Sequence, residues 1–217
     1  MGIAERKERE KKERRQQILE AAKRHFSSKG FSGTTMGDIA NDIELSPSTL
    51  YLYFTSKEEL HAALSLKLLE SLLERLEQIE ERDEQSPEKR IMEIKDMLYS
   101  LYEFDPLIFM NVFHFQTSEV YRNISQELMA EIKRFAGRAL NSMARIFEDG
   151  IRKGRFKDRK PIALADVIWS VFSGMVIWEE SKKALDPQKS YMKETLDLAF
   201  EIIIQGIKKI GSSPNLL

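Results

Sequence analysis

The chain has 217 residues, of which 42% are hydrophobic and 32% are charged. It can therefore bury a core and stay soluble, which excludes a wholly disordered chain. It contains no cysteine, which excludes a disulfide scaffold, a thiolate zinc site and a cysteine nucleophile. Its net charge is −1, so any nucleic-acid site has to be a local basic patch.

Neither a membrane-spanning helix nor an export signal is expected. The longest charge-free apolar stretches are 106–118 and 167–178. Both are shorter than the ~20 residues that a membrane-spanning helix needs. The N-terminus is charged and lacks the apolar run of a signal peptide. We therefore expect a cytoplasmic protein without a membrane partner.

The positions of the prolines predict where several helices begin. Ser46, Ser86, Asp105 and Asp186 each directly precede a proline, which is the pattern of an N-cap residue followed by proline at the first helical position. Apolar residues then recur every three or four positions, as on a helix with one buried face. The sequence predicts an all-α protein with about nine helices, at 5–29, 35–43, 47–53, 57–82, 87–103, 106–118, 122–153, 161–185 and 187–209.

The first three predicted helices form a small N-terminal module. Within 34–54, a short helix is followed by a tight turn at Glu44 and by a second short helix that Ser46 caps. Two short helices joined in this way, and supported by a preceding helix, make a helix-turn-helix, whose second helix enters the DNA major groove. We expect a helix-turn-helix DNA-binding domain at 1–55 and a helical effector-binding and dimerisation domain at 56–217.

The first helix begins with a strongly basic segment. From Arg6 to Arg15 there are seven lysines or arginines and three glutamates. Such a run can contact DNA phosphates. It can equally be a solvated helix face whose opposite charges pair at helical spacing. The sequence leaves both interpretations open.

One segment, from residue 30 to residue 60, carries a more specific pattern. It consists of Gly30-Phe31, Thr34-Thr35-Met36, Asp38-Ile39-Ala40, Ser46, Thr49-Leu50-Tyr51, Tyr53-Phe54 and Ser56-Lys57-Glu58-Glu59-Leu60. This pattern resembles the DNA-binding signature of the TetR family of bacterial transcriptional regulators. The family usually has glycine in the turn, where this chain has Glu44. In the left-handed region a residue other than glycine costs about 1 kcal/mol or more.

The resemblance implies roles for residues at matching positions. Contacts to the phosphate backbone, which orient a protein without reading sequence, are expected from Thr35, Thr49, Tyr51, Tyr53 and Lys57. Base edges are expected near Pro47, Ser48, Thr49 and Leu52. The two tyrosines could instead be core residues. The recognition helix has no arginine, so the commonest guanine contact is unavailable there.

The last two predicted helices, 161–185 and 187–209, are apolar on more than one face. Such helices need more than one covering surface. They are either fully buried in a monomer or covered by a second copy of the chain. The resemblance also implies a homodimer built on these two helices, which would favour a palindromic operator. The expected dimerisation residues are Trp169, Phe172, Val176, Leu198 and Ile202.

The middle of the predicted bundle is rich in aromatic residues and methionine. The resemblance implies an effector pocket among these helices, and such pockets are mostly apolar. Large apolar residues at helical spacing are also ordinary core residues, so both interpretations stand. The candidate effector-binding residues are Phe109, Met110, Phe113, His114, Met143, Trp169, Phe172 and Met175.

Enzyme chemistry has little support in the sequence. His25, His61 and His114 are far apart and no cysteine accompanies them, so no metal or other cofactor is expected. No GxSxG, P-loop or dinucleotide-binding glycine pattern is present. We expect a ligand-responsive transcriptional regulator, a repressor that a small apolar effector releases from a palindromic operator, although the sequence does not distinguish repression from activation. The alternative is a dimeric helical carrier or interaction protein with a degenerate DNA-binding module.

Overall fold

Helices dominate the part of the chain that the structure describes. The computed structural model describes residues 2–104, 106, 109, 124–186 and 190–209. The prediction of an all-α fold is confirmed, while the helix predicted at 106–118 lies outside the described residues except for residues 106 and 109. The helices are α1 (Ile3–Lys29), α2 (Met36–Asp42), α3 (Pro47–Tyr51), α4 (Lys57–Glu80), α5 (Pro87–Phe104), α6 (Gln126–Arg152), α7 (Pro161–Leu185) and α8 (Met192–Ile207).

Proline sets the start of three helices. α3, α5 and α7 begin at Pro47, Pro87 and Pro161, as the sequence predicts. A proline at this position sacrifices no hydrogen bond, because the first N–H groups of a helix have no partner inside it. The local sequence is therefore sufficient to fix these three boundaries.

Two helices begin later than predicted. α6 begins at Gln126 rather than at 122, where the Ser125 hydroxyl accepts a hydrogen bond from the N–H of Leu128 at 3.4 Å. α8 begins at Met192 rather than at 187. The carboxylate of Glu179, which is buried, accepts the N–H of Tyr191 at 2.7 Å, and so fixes the backbone just before the helix.

The described residues form two compact units. The first contains the described residues up to Leu68 together with 124–132, and the second contains the others. In the first unit α1 packs on α2, and α2 packs on α3. The apolar stripe of α1 is buried here, with Ile18, Ala22 and Phe26 almost inaccessible to solvent. The domain boundary at residue 55 stays a prediction.

In the second unit, α8 packs against α5 and α7. The turn after α6 pairs with the end of α8: the N–H of Lys157 donates to the carbonyl of Ile207 at 2.8 Å, and the N–H of Lys209 donates to that of Arg155 at 3.0 Å. Between these bonds the buried ring of Phe156 lies directly against Gly150. Only a residue without a Cβ leaves room for that ring.

Candidate DNA-binding site

The turn between α2 and α3 is a Schellman motif with a glutamate in the left-handed position. Glu44 has a φ of 55°. The N–H of Leu45 donates to the carbonyl of Ala40 at 2.9 Å, and the N–H of Glu44 donates to that of Asn41 at 3.3 Å, which is the bond pair of this motif. The glutamate therefore makes the turn that glycine usually makes, at a cost of about 1 kcal/mol or more.

The start of α2 is closed by a reciprocal capping box. The hydroxyl of Thr35 accepts the N–H of Asp38 at 3.1 Å, and the Asp38 carboxylate accepts the N–H of Thr35 at 2.9 Å and its hydroxyl proton at 2.7 Å. These bonds lower the pKa of Asp38. Thr35 is exposed, as a phosphate contact requires, but its hydroxyl proton is already donated within the protein.

The first turn of the recognition helix α3 carries a cluster of hydroxyl groups. The Ser46 hydroxyl accepts the N–H of Thr49 at 3.1 Å and lies 2.8 Å from the hydroxyls of both Ser48 and Thr49. Pro47 and Ser48 are exposed, whereas Thr49 is half-buried. Residues predicted to approach base edges therefore do lie at the surface, in an arrangement that the N-cap orders.

The second half of the recognition helix is more apolar. Tyr51 is 50% exposed and Leu52 is 82% exposed, while Leu50 is buried and Tyr53 is half-buried. Between Ser46 and Phe54 there is no charged and no amide side chain. The surface of α3 therefore offers hydroxyl groups, which can bond to either kind of base, and apolar atoms, which can contact the thymine methyl group.

Arg15 of α1 holds the end of α3 in place. Its guanidinium donates a hydrogen bond to the carbonyl of Tyr53 at 3.2 Å and lies 4.1 Å over the ring of Phe54. Burial lowers the pKa of Arg15, although the group stays charged. Sequence reasoning counted Arg15 only as part of the basic segment. The available signal was its place on the apolar stripe of α1, at helical spacing from Ile18 and Phe26.

Lys57, at the start of α4, is bound to the loop between α1 and α2. Its ammonium donates to the carbonyls of Phe31 at 2.7 Å and Thr34 at 2.9 Å, and lies 4.3 Å from the centre of the Phe31 ring. An ammonium carries three protons, so these two bonds leave one for an anion. The residue predicted to contact phosphate thus also fixes the loop that precedes α2.

The helix-turn-helix matches a known family. Residues 18–64 fit the family model described as bacterial regulatory proteins, tetR family. These residues form a DNA-binding domain of the TetR family. A full-length relative is the HTH-type transcriptional regulator YhgD of Bacillus subtilis, which is 26% identical over 198 residues, 90% of this chain and 97% of YhgD. The repressor NicS of Pseudomonas putida is 28% identical over 151 residues, 66% of each chain.

The TetR-type fold extends over most of the chain. FadR of Bacillus subtilis, solved in complex with stearoyl-CoA, matches with a TM-score of 0.70 at 21% identity, over 88% of this chain and 98% of FadR. At this identity the match shows a common fold. With a TetR-family DNA-binding domain, the chain is a DNA-binding transcriptional regulator, and the relatives named above are regulators rather than enzymes.

In the second unit, three of the candidate effector-binding residues form an aromatic cluster. The rings of Phe109 and Phe172 meet edge to face with centres 5.1 Å apart, and the Trp169 ring lies 6.1 Å from that of Phe172. Phe109 and Phe172 are buried and Trp169 is half-buried. Met143 is buried and Met175 is half-buried. Three further candidates lie outside the described residues: Met110, Phe113 and His114.

The predicted dimerisation residues fall into two groups. Phe172 and Val176 are completely buried within one chain, so they have no surface to offer a second copy. Their burial corrects the prediction for these two residues, because the face of α7 that carries them is covered by its own chain. In contrast, Leu198 and Ile202 on α8 are 57% and 62% exposed. Trp169 is half-buried.

α7 exposes an apolar surface that sequence reasoning largely missed. Its exposed large apolar residues are Ile162, Val167, Ile177, Trp178 and Leu185. Only 22% of the most apolar 18-residue stretch of α7 is buried. By length and composition alone, this helix could cross a membrane. Core helices of soluble proteins also meet that criterion, so it is weak evidence for a membrane span. The apolar periodicity marked α7 as two-sided but did not tell which side its own chain covers.

Proposed function

We propose that this TetR-family regulator is a cytoplasmic repressor that binds a palindromic operator as a homodimer and is released by a small apolar effector. The observation that carries the proposal is the recognition helix: it is fixed by Arg15 at its end and presents exposed hydroxyl and apolar side chains. The name of NicS, a transcriptional repressor, supports repression over activation.

In this proposal the surface residues around α2, α3 and the start of α4 make two kinds of contact with DNA. Thr35, Thr49, Tyr51, Tyr53 and Lys57 contact phosphates and set the register of the protein on the duplex. Pro47, Ser48, Thr49 and Leu52 approach base edges through hydroxyl and apolar contacts.

The exposed apolar surface of α7 and α8 supports the homodimer. Trp178 is 66% exposed, and Leu198 and Ile202 of α8 are similarly exposed. Exposed large apolar side chains in this number favour an interaction site, and a two-fold axis lets the same surface cover itself. A dimer of this type sets two recognition helices about one DNA turn, roughly 34 Å, apart, which matches a palindrome.

The aromatic cluster of Phe109, Trp169 and Phe172 supports an apolar effector. Met143 and Met175 are the flexible apolar residues that we assign to the same pocket, and FadR, which shares the fold, binds stearoyl-CoA. We infer a ligand with a long acyl chain. The ligand acts by binding more tightly to the state whose recognition helices do not fit the operator, and it can shift the equilibrium only by that difference in affinity.

Selection from a random duplex library, followed by sequencing, tests the DNA-binding part of the proposal. Selection at two salt concentrations should recover a palindrome, with affinity that falls steeply as salt rises. A folded, dimeric protein that enriches no sequence, even after removal of bound ligand by refolding, would support the carrier or interaction protein instead.

Titration with stearoyl-CoA tests the effector. The ligand should raise the unfolding temperature and lower the affinity for the recovered operator, whereas coenzyme A alone should do neither. Stabilisation without any loss of operator affinity would contradict the release mechanism.

A further inference from the structure

α1 extends well beyond the region that matches the family model. The match begins at residue 18, but α1 begins at Ile3. Residues 4–14 are all exposed, and burial starts only with Arg15 and Ile18. At 1.5 Å per residue, this N-terminal extension of α1 is about 16 Å long. Because it continues a helix that is already packed, it needs no nucleus of its own.

The charges of the extension are only partly balanced within it. Arg6 pairs with Glu10 at 2.7 Å, and Arg9 lies 3.8 Å from Glu13. Pairing on a solvated face therefore accounts for these two arginines. Four other cationic side chains form no ion pair or hydrogen bond with any residue in the described ranges: Lys7, Lys11, Lys12 and Arg14.

Three of the unpaired cations continue along α1 from Arg15, which contacts the chain just after the recognition helix. Arg15 donates to the carbonyl of Tyr53, two residues after the end of α3. Lys11 and Lys12 precede Arg15 by four and three residues, so they share its face of α1 one turn further on, about 6 Å along the axis. Lys7 lies one more turn away on the same side. The extension thus carries positive charge outward from the point where α1 meets α3.

We propose that the extension, residues 4–14, is a second DNA-contacting element that binds duplex phosphates beside the groove that α3 enters. The inference rests on the proposed operator binding. Charge complementarity identifies the partner: B-DNA presents one negative charge per ~1.7 Å of axis, and Lys7, Lys11 and Lys12 place three unpaired ammonium groups along one side of α1. Contacts of this kind add affinity without adding sequence preference.

Two triple variants of the full chain test the proposal. The test variant carries Lys7→Gln, Lys11→Gln and Lys12→Gln. The control carries Lys89→Gln, Lys133→Gln and Lys160→Gln, which have the same chemistry and the same change of net charge at exposed positions outside the first unit. Glutamine is a good helix former, so circular dichroism should show unchanged helix content in both.

The readout is the dependence of affinity on salt, for the selected operator and for a scrambled duplex. The slope of log affinity against log salt should become shallower by about 0.9 for each lysine that contacts a phosphate. Affinity at 0.1 M salt should fall at least ten-fold for both duplexes in the test variant and stay within two-fold in the control. Hydroxyl-radical footprints should lose their outermost protected sugars in the test variant only.

Each contrary outcome identifies what has failed. If the two variants show equal slopes of log affinity against log salt and still bind the operator selectively, the extension does not contact DNA. The proposed function would then still stand. A wild-type protein that selects no duplex sequence would overturn both. If the test variant loses binding only to phosphatidylserine vesicles and keeps its DNA slope, the extension serves an anionic membrane surface and the inference is wrong.

Discussion

Glu44 holds the only positive φ of a non-glycine residue among those described. Replacement by glycine removes the contact between Cβ and backbone that disfavours this conformation. Glu44→Gly should raise the free energy of unfolding by about 1 kcal/mol in chemical denaturation. The control is Glu84→Gly in another exposed turn with negative φ, which should gain nothing. Equal effects at both positions would contradict the strain at Glu44.

Lys57 connects stability and DNA binding. In Lys57→Ala the carbonyls of Phe31 and Thr34 lose their charged donor, so the free energy of unfolding should fall by about 1–2 kcal/mol. Affinity should fall by the same factor for the operator and for a scrambled duplex, because a phosphate contact carries no sequence information. Lys29→Ala, at an exposed lysine 3.8 Å from Asp38, should change stability by less than about 0.5 kcal/mol. A loss confined to one sequence would contradict the backbone role.

Residues of the candidate site could be predicted where the cause is local. Ser46 and Pro47 follow from capping rules, and the cost at Glu44 follows from its place in the turn. The partners of Lys57 and Arg15 could not be predicted in this way. A long side chain reaches carbonyl groups 26 and 38 residues away in sequence, and only the packing of α1 against the other helices decides which ones.

Rules that use only the local sequence of a helix predict where most of the helices begin. They fail where a contact with another helix sets the boundary. Proline fixes the start of α3, α5 and α7. The start of α8 depends on the carboxylate of Glu179, which α7 supplies from 12 residues earlier. The same limit explains Phe172 and Val176: periodicity shows that α7 is apolar on two sides, but not which side its own chain already covers.

Gly150 makes the close approach of α6 and the following turn possible. A Cβ at this position would lie 2.2 Å from the ring of Phe156, so Gly150→Ala should lower the free energy of unfolding by about 2 kcal/mol or more. The control is Gly137→Ala in the same helix, where a Cβ meets nothing within 4 Å, and which should gain about 0.5–1 kcal/mol. Thermal or chemical denaturation of both variants measures the difference. Destabilisation of both to the same extent would point to a general effect on α6.

Substitutions should be able to remove dimer formation and operator contact independently of each other. Ile202→Glu places a charge in the exposed apolar surface of α8, so it should yield a monomer in sedimentation and weaken operator binding, because one recognition helix then binds alone. Leu52→Gln alters another exposed apolar side chain, at the residue that directly follows α3. It should leave the dimer intact and reduce only operator affinity. A dimeric Ile202→Glu protein would place the interface elsewhere.

A buried ion pair should make the stability of the second unit depend on pH. Arg90 and Asp149 are both buried and bonded to each other. Burial alone would raise the pKa of Asp149, but hydrogen bonds from Lys153 and Arg152 and the charge of Arg90 together lower it. Its contribution to stability is therefore full above the usual value of 3.8 and is lost as pH falls through the lower value of the folded protein.

Asp149→Asn tests this contribution. At neutral pH the variant should lose about 3 kcal/mol of unfolding free energy, because the buried Arg90 loses its buried carboxylate partner. It keeps only the exposed carboxylate of Asp83 at 3.5 Å and the carbonyl of Glu80 at 3.2 Å. Below pH 4 its stability should fall less steeply than that of the wild-type protein, as shown by denaturation at a series of pH values. Parallel pH curves for the two proteins would show that Asp149 does not set the acid limit.

The left-handed glutamate also has a genetic consequence. A single base change converts a glutamate codon into a glycine codon, so about 1 kcal/mol of unused stability lies one mutation away from the present gene. Selection for DNA binding at raised temperature, started from a weakened chain such as Gly150→Ala, should recover Glu44→Gly as a second-site suppressor. The strained turn at Glu44 would then be a site at which one mutation can compensate for a destabilising change elsewhere in the chain.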